Sequence, residues 1–281
     1  MTEPIRVGLI GCGNNMAGHV KRMLPNADAR IVGLADPEPA GIAHLRDLYP
    51  ALVDVAEFSH YADLLQSVRP DAVIISTPHS LHYEQIMAAL ESGCHVLCEK
   101  PLVLHVAHAR DAIRQSRHVG RHLLVSYQRH YAPVFRRMRQ LIGDGQIGTV
   151  RFVQALQNQN WYQRQKAANR WRIVPELSGG GQLNDSGSHL IDILLHVTGL
   201  TVESVFCRQE RLDLDVDVNS ALTLGFTNGA IGSLAIVGDA PGIGGQVWED
   251  ITIYGSEGAI YYRMMGGILD RAPLIELRAQ A

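Results

Sequence analysis

The chain has 281 residues, 46% of them hydrophobic and 19% charged, with a formal net charge of -3, which is material for one large domain or two moderate ones with a substantial core. No basic excess favours nucleic acid, and no block of like charge suggests a disordered tail. No apolar run approaches the ~18 residues of a membrane span and no basic-then-apolar leader precedes the first strand, so a cytoplasmic protein is expected.

Ile5-Arg6-Val7-Gly8-Leu9-Ile10 is apolar and β-branched, the pattern of a short buried strand. Gly11-Cys12-Gly13-Asn14-Asn15-Met16 follows, then a helical stretch to about Leu24, then a second strand over Ile31–Ala35 that ends at Asp36. This order of strand, glycine turn, helix, strand and acid is a dinucleotide-binding unit. Gly11 allows the tight turn, and Gly13 lets the backbone of Asn14, Asn15 and Met16 approach a pyrophosphate at the helix N-terminus. Asp36 lies roughly 20 residues beyond the turn, where an acid binds ribose hydroxyls. The third glycine of the fingerprint is replaced by Met16, which puts the closeness of helix–strand packing in question. A 2′-phosphate beside the Asp36 carboxylate would be repelled by up to about 4 kcal/mol at ~4 Å and an effective dielectric of ~20, so NAD is expected over NADP.

Alternation continues with a helix over 38–48, a weak strand near Val53–Val55, a buried strand over Asp71–Ile75, and a helix over 80–92 closed by Gly93. His95-Val96-Leu97 is a further strand, leading into Cys98-Glu99-Lys100-Pro101; a helix over 103–117 and a strand over His122–Ser126 complete this half. Strands alternating with helices imply a doubly wound parallel sheet, which binds ligands at its carboxyl edge. Thr77, Pro78, His79 and His82 follow one strand at that edge, and Glu99 and Lys100 follow another. For Glu99 and Lys100 the plain alternative is a surface ion pair. The cysteines Cys12, Cys94, Cys98 and Cys207 follow neither a metal nor a disulfide spacing and fit a reducing compartment.

The pattern changes after Tyr127. A connecting helix over 131–143 accepts Pro133 in its first turn. Longer alternating strands are expected over 149–159, 201–211, 218–226, 230–237, 250–255 and 258–263, with another possible over 274–277. Asn228-Gly229 marks a hairpin. They predict an open, mostly antiparallel sheet, broken by one helix at about 186–198 and a flexible turn at Ser178–Gly181. The fold class is therefore α/β: a dinucleotide-binding domain over 1–126 and an α+β domain for substrate and oligomerisation over 127–281. An uncovered sheet face and edge invite self-association.

Asp185, His189 and Asp192 share one helical face at spacings of four and three. A histidine one turn from a carboxylate makes an acid–base pair; the alternative is a helix cap, a core histidine and a solvated acid. The segment offers two or three metal ligands at most, so no metal is expected. Trp161, Trp171 and Arg172 lie in a polar stretch suited to a hydroxylated ring, or to packing beneath a loop.

Together these motifs resemble the glucose–fructose oxidoreductase and inositol dehydrogenase family (Gfo/Idh/MocA) over residues 5 to about 260. They are Gly11-x-Gly13, Thr77-Pro78-His79-x-x-His82, His95 to Pro101, Trp171-Arg172 with Pro175 to Gly181, and Asp185-x-Gly187-x-His189-x-x-Asp192. The resemblance implies a Rossmann domain and an NAD(P)-dependent oxidoreductase acting on a sugar, inositol or related polyol. It makes Lys100 the residue that positions the hydroxyl, His189 the proton acceptor and Asp185 its partner. Thr77, His79, Glu99 and Gln128 match positions lining nicotinamide and ribose. Two other readings remain: a hydrolase or lyase of the same family using tightly bound NAD transiently, and a non-catalytic dinucleotide-binding sensor, which tends to lack the lysine and histidine. Relatives continue further than Ala281, implying a substrate wall that is partly absent or supplied by a partner subunit.

Overall fold

The computed structural model describes residues 3–168, 171–240, 246–265 and 274–279. The chain divides into two compact units, one ending at Ser126 and the other starting at Tyr127.

The first unit is built on a six-stranded sheet in the order β3-β2-β1-β4-β5-β6, with every pairing parallel. Its strands are β1 (Ile5–Ile10), β2 (Ala29–Ala35), β3 (Ala56–Phe58), β4 (Ala72–Ile75), β5 (His95–Cys98) and β6 (Leu123–Val125). The helices α1 (Asn14–Met23), α2 (Pro39–Leu48), α3 (Tyr61–Val68), α4 (His82–Glu91) and α5 (Val106–His118) connect them. Two apolar clusters pack against the sheet, one around Leu9, Met16, Val20 and Leu34, the other around Leu64, Ile75, Ile86 and Val96. Strand order reverses between β1 and β4, the place at the carboxyl edge where such sheets bind ligands.

One expectation is corrected in this unit, and one element is added. The weak strand forms at Ala56–Phe58, because Val53 and Asp54 turn out of the preceding 3₁₀ turn. The stretch after it folds as α3, its N-terminus capped by His60 Nδ1 accepting from Ala62 N at 3.2 Å. Leu64 and Leu65 of α3 are buried, and that apolar face holds so short a helix in place.

The second unit carries a seven-stranded sheet in the order β13-β12-β11-β7-β10-β9-β8. The strands are β7 (Val150–Gln159), β8 (Val202–Glu210), β9 (Asn219–Phe226), β10 (Ile231–Val237), β11 (Val247–Gly255), β12 (Gly258–Met265) and β13 (Leu274–Ala279). β7 and β10 run parallel and the other described neighbours antiparallel. One face is covered by α6 (Pro133–Gly143) and α9 (Ser188–Thr198), whose Phe135, Met138, Ile193 and Leu194 join the core with Val153, Leu234 and Ile251. Two short helices, α7 (Trp161–Ala167) and α8 (Pro175–Ser178), lie between β7 and α9. Proline stands at the first position of α6, where its missing N–H costs nothing.

Candidate active site

Gly11 sits at the end of β1 with φ of +83°, and a Cβ there would lie 2.7 Å from Ser76 O at the end of β4. Glycine is required on both counts. Gly13 differs: it caps α1 with an ordinary φ of -74°, and a Cβ on it would meet nothing within 4 Å. The chain is thus bare where the fold leaves open space before a helix N-terminus. No side chain caps α1 and no acid stands in its first turn, while Lys21 and Arg22 occupy its last. The positive end of the helix dipole is left for an outside anion.

Asp36 closes the turn from the other side, accepting from Cys12 N at 2.7 Å and from Glu38 N at 2.9 Å. It remains half-buried, with lone pairs left for hydroxyls. Asn14 and Asn15 are exposed on the first turn of α1, and Asn15 Nδ2 reaches Ser76 Oγ at 3.4 Å. Met16 is fully buried under α1. It joins the core beneath α1, so its backbone is what it can offer a cofactor.

Beyond β4, Thr77 donates to Gln85 Oε1 at 2.6 Å, and Pro78 leads into a turn with buried His79. His82 is fully buried, its Nδ1 2.9 Å from Pro101 O and its Nε2 3.1 Å from Thr77 O. Burial lowers its pKa against the raising effect of these carbonyls. His82 thus sits between the β4 and β5 loops, with one ring nitrogen toward each.

β5 delivers Glu99 and Lys100 to the same edge, and the Lys100–Pro101 peptide is cis. Burial would raise the Glu99 carboxyl. The hydrogen bond and charge of His19, with further bonds from Ser126 and Asn15, override it and hold the carboxyl at about 2. His19 Nε2 lies 2.7 Å from Glu99 Oε1. This α1 residue went unnoticed in the sequence, although it stands one helical turn beyond Asn15 on the face toward the sheet edge. Lys100 N is 3.3 Å from Glu99 Oε2, so the carboxylate also braces the backbone that presents the lysine.

In the second unit the segment Leu183–Gly187 is a π-helical turn running into α9, a form frequent at functional sites. Asp185 lies in it, buried, with its Oδ2 accepting from Trp161 Nε1 at 2.9 Å and pairing with Arg172 Nε at 3.1 Å. The guanidinium of Arg172 in turn stacks on the Trp171 ring at 4.4 Å. Trp161 is 2% exposed and donates its N–H to Asp185, so it braces the acid. The Ser178–Gly181 turn, expected to be flexible, is pinned. The buried Asp217 carboxylate accepts from Gly181 N and Leu183 N at 2.7 Å each, and its carbonyl accepts from Gln182 N.

His189 occupies the first turn of α9, half-buried, with the Tyr127 ring edge-on at 5.8 Å. Asp192 pairs with His130 Nε2 at 2.7 Å, and burial raises its pKa against that pairing. A cleft of about 690 Å³ beside α9 is lined by Tyr127, Asn184, Ser188, Asp192, Arg211 and Asp215 among others. Gln128 is exposed on the 3₁₀ turn Gln128–Tyr131. Among the described residues, no group of three or more His, Cys, Asp or Glu is placed to hold a metal, and no helix is long and apolar enough to cross a membrane.

A Rossmann sheet with an uncapped glycine turn, followed by a unit with an open mixed sheet, defines the two-part architecture of nicotinamide-linked oxidoreductases. Residues 5–127 match the oxidoreductase family model described as an NAD-binding Rossmann fold, and residues 135–261 match the GFO/IDH/MocA C-terminal domain. The chain belongs to the Gfo/Idh/MocA family. It is 28% identical over 208 residues to the D-glucoside 3-dehydrogenase of Escherichia coli, covering 73% of this chain and 57% of the relative. It is 33% identical over 152 residues to the inositol 2-dehydrogenase of Rhizobium meliloti, covering 53% and 44%. The chain therefore spans less than two thirds of the length of these curated relatives. Its fold matches the WlbA dehydrogenase of Bordetella pertussis, solved with NADH and UDP-GlcNAcA, at a TM-score of 0.86 and 24% identity, over 96% of this chain and 79% of that one.

Proposed function

We propose that this protein is an NAD-dependent dehydrogenase that oxidises a hydroxyl of a sugar, inositol or related polyol. The observation that carries this is the bare Gly13 before the uncapped α1, on the same sheet edge that presents Glu99 and Lys100. The pyrophosphate lies on the backbone at Gly13, Asn14 and Asn15, and Asp36 takes the ribose hydroxyls. The Asp36 carboxylate also selects NAD over NADP by repelling a 2′-phosphate.

A bound nicotinamide supplies the acceptor for the hydride. The chain's own residues handle the hydroxyl. Lys100 donates a hydrogen bond to its oxygen and favours negative charge developing there. His189 takes the proton at a ring nitrogen, and Asp185, fixed by Trp161 and Arg172, orients the histidine or holds a neighbouring hydroxyl. Glu99, Thr77, His79 and Gln128 line nicotinamide and ribose, and Trp171 and Arg172 border the substrate.

Two copies associate through the uncovered sheet face. Phe152 stands beside Ile231 on one neighbouring strand and Tyr254 on the other, and these side chains are 37%, 50% and 37% exposed. Such an apolar row suits a homo-oligomer contact.

The test is reduced-nicotinamide absorbance with NAD, then NADP, over inositols, aldoses and deoxy sugars, for wild type and Lys100→Ala. Turnover with NAD that disappears in the variant is the expected result. Tight NAD binding without net turnover on any substrate would sink the dehydrogenase reading and leave transient redox chemistry or sensing.

A further inference from the structure

Around the His130–Asp192 pair the second unit gathers arginine and histidine side chains that the proposed reaction does not use. His130 and His196 stack with ring centroids 3.7 Å apart and planes 12° apart. Arg139 Nη1 lies 3.0 and 3.1 Å from the two ring nitrogens of His196, an equidistance that places it over the ring rather than along one lone pair. Arginine, histidine and histidine thus form a three-layer stack, with Asp192 bonded to its inner end. The outer end opens into a cleft of about 720 Å³ lined by His130, Arg136, Arg139, Gln140, Asp144 and His196 among others.

The charges facing this stack come from three elements. α6 contributes Arg136 and Arg139, with Asp144 at its C-terminal cap; the turn before it contributes His130, with Tyr127 stacked on that ring at 6.2 Å; and α9 contributes Asp192 and His196. Arg129, from the same turn, is spent on Glu249. Burial, followed by the like charges of His130 and Arg139, lowers the His196 pKa. Asp192 neutralises only the inner end. Arg136 stands three residues from Arg139 on the same face of α6, so two guanidinium groups and two imidazoles border one space that has a single acid, Asp144, at its rim.

We propose that this cleft between α6 and α9 is a binding site for the phosphate group of a small metabolite. Arg136 and Arg139 grip the oxygens and supply the positive charge, and the stacked rings of His130 and His196 wall the site. Guanidinium groups suit a tetrahedral oxyanion because each presents several donors in a fixed plane. The cleft has room beyond one phosphate, so the remainder of the ligand rests along Gln140 and Tyr131. The site is independent of the dinucleotide turn, which lies in the other unit.

The experiment is a phosphate titration of the full-length protein followed through the imidazole C–H resonances of His130 and His196, against sodium chloride at matched ionic strength. Saturable movement of both resonances is expected, with affinity weakened about tenfold in Arg139→Gln and again in Arg136→Gln, and tightened in Asp144→Asn. Both arginines are exposed, and unchanged tryptophan emission confirms that the variants fold. A sugar phosphate should bind more tightly than inorganic phosphate. Three results would each overturn the site: movement no greater than with chloride, equal affinity in the arginine variants, or shifts confined to the amides around Gly13.

Discussion

Removing the carboxylate of Glu249 should unfold the second unit more readily than almost any other single change. Glu249 is fully buried and Arg129 is 6% exposed. One guanidinium nitrogen donates to both carboxylate oxygens, at 2.7 and 2.8 Å. Gln157, directly opposite on β7, donates to the same group at 2.9 Å. In Glu249→Ala the guanidinium stays buried without its counter-charge, which costs about 3–5 kcal/mol. All three tryptophans, Trp161, Trp171 and Trp248, lie in this unit, so their fluorescence during urea unfolding reports on it alone. At about 1–3 kcal/mol per molar urea, the midpoint should fall by at least 1 M. The double variant Arg129→Met, Glu249→Leu removes both charges and should recover most of the loss. A loss below about 1 kcal/mol in the single variant, or a double variant as unstable as the two singles combined, would refute the reasoning.

Other expectations concern the candidate site and its assembly. The partners of Glu99 hold its carboxyl down to about 2 in the folded chain, against an ordinary 4.5, so its contribution to stability is complete above about pH 4.5 and is lost as pH falls toward 2. Thermal melts of Glu99→Gln should therefore depend less on pH across that window than those of wild type. Gly13→Val should lower the melting temperature only slightly, since its extended backbone angles suit any residue and only a weak helix cap is lost, yet weaken NADH binding at least tenfold by fluorescence titration; unchanged binding would move the pyrophosphate elsewhere. Trp161→Phe takes a donor from Asp185, and kcat should fall with little change in NADH affinity. Phe152→Glu should reduce the oligomer to a monomer in light scattering, and an unchanged mass would place the contact elsewhere.

The first unit was readable because its signals are local. Apolar runs of strand length, the Gly11 turn and the Gly93 and Pro101 stops each fall where the chain itself must bend. What escaped was set by distant partners. α3 is short and depends on burial of Leu64 and Leu65. His19 matters because β5, far along the sequence, delivers Glu99 to it. In the second unit Asn228-Gly229 announced the hairpin between β9 and β10, but no periodicity announces that β10 also runs parallel to β7. The spacing of Asp185 and His189 suggested one regular helix. The π turn between them, and the engagement of Asp185 by Trp161 and Arg172, come from tertiary contacts that no local pattern encodes. Asp217 likewise gave no local sign that it would fasten the glycine run.

The outermost strand bears on how the protein behaves in a tube. β8 is exposed along its whole length, with Val205 at 61% and Phe206 at 72%. Glu203, Arg208 and Glu210 discourage another strand from pairing at either end, but the middle has no such guard. Cys207, an exposed thiol, sits in that gap, and burial with the charge of Asp217 keeps it more protonated than an ordinary cysteine. Two chains meeting edge to edge there would bring their Cys207 thiols together, and slow oxidation would make a reversible encounter permanent. Turbidity and covalent dimers on storage would then arise from a folded molecule, and a reductant or a lysine at position 205 would suppress them where added thermal stability would not.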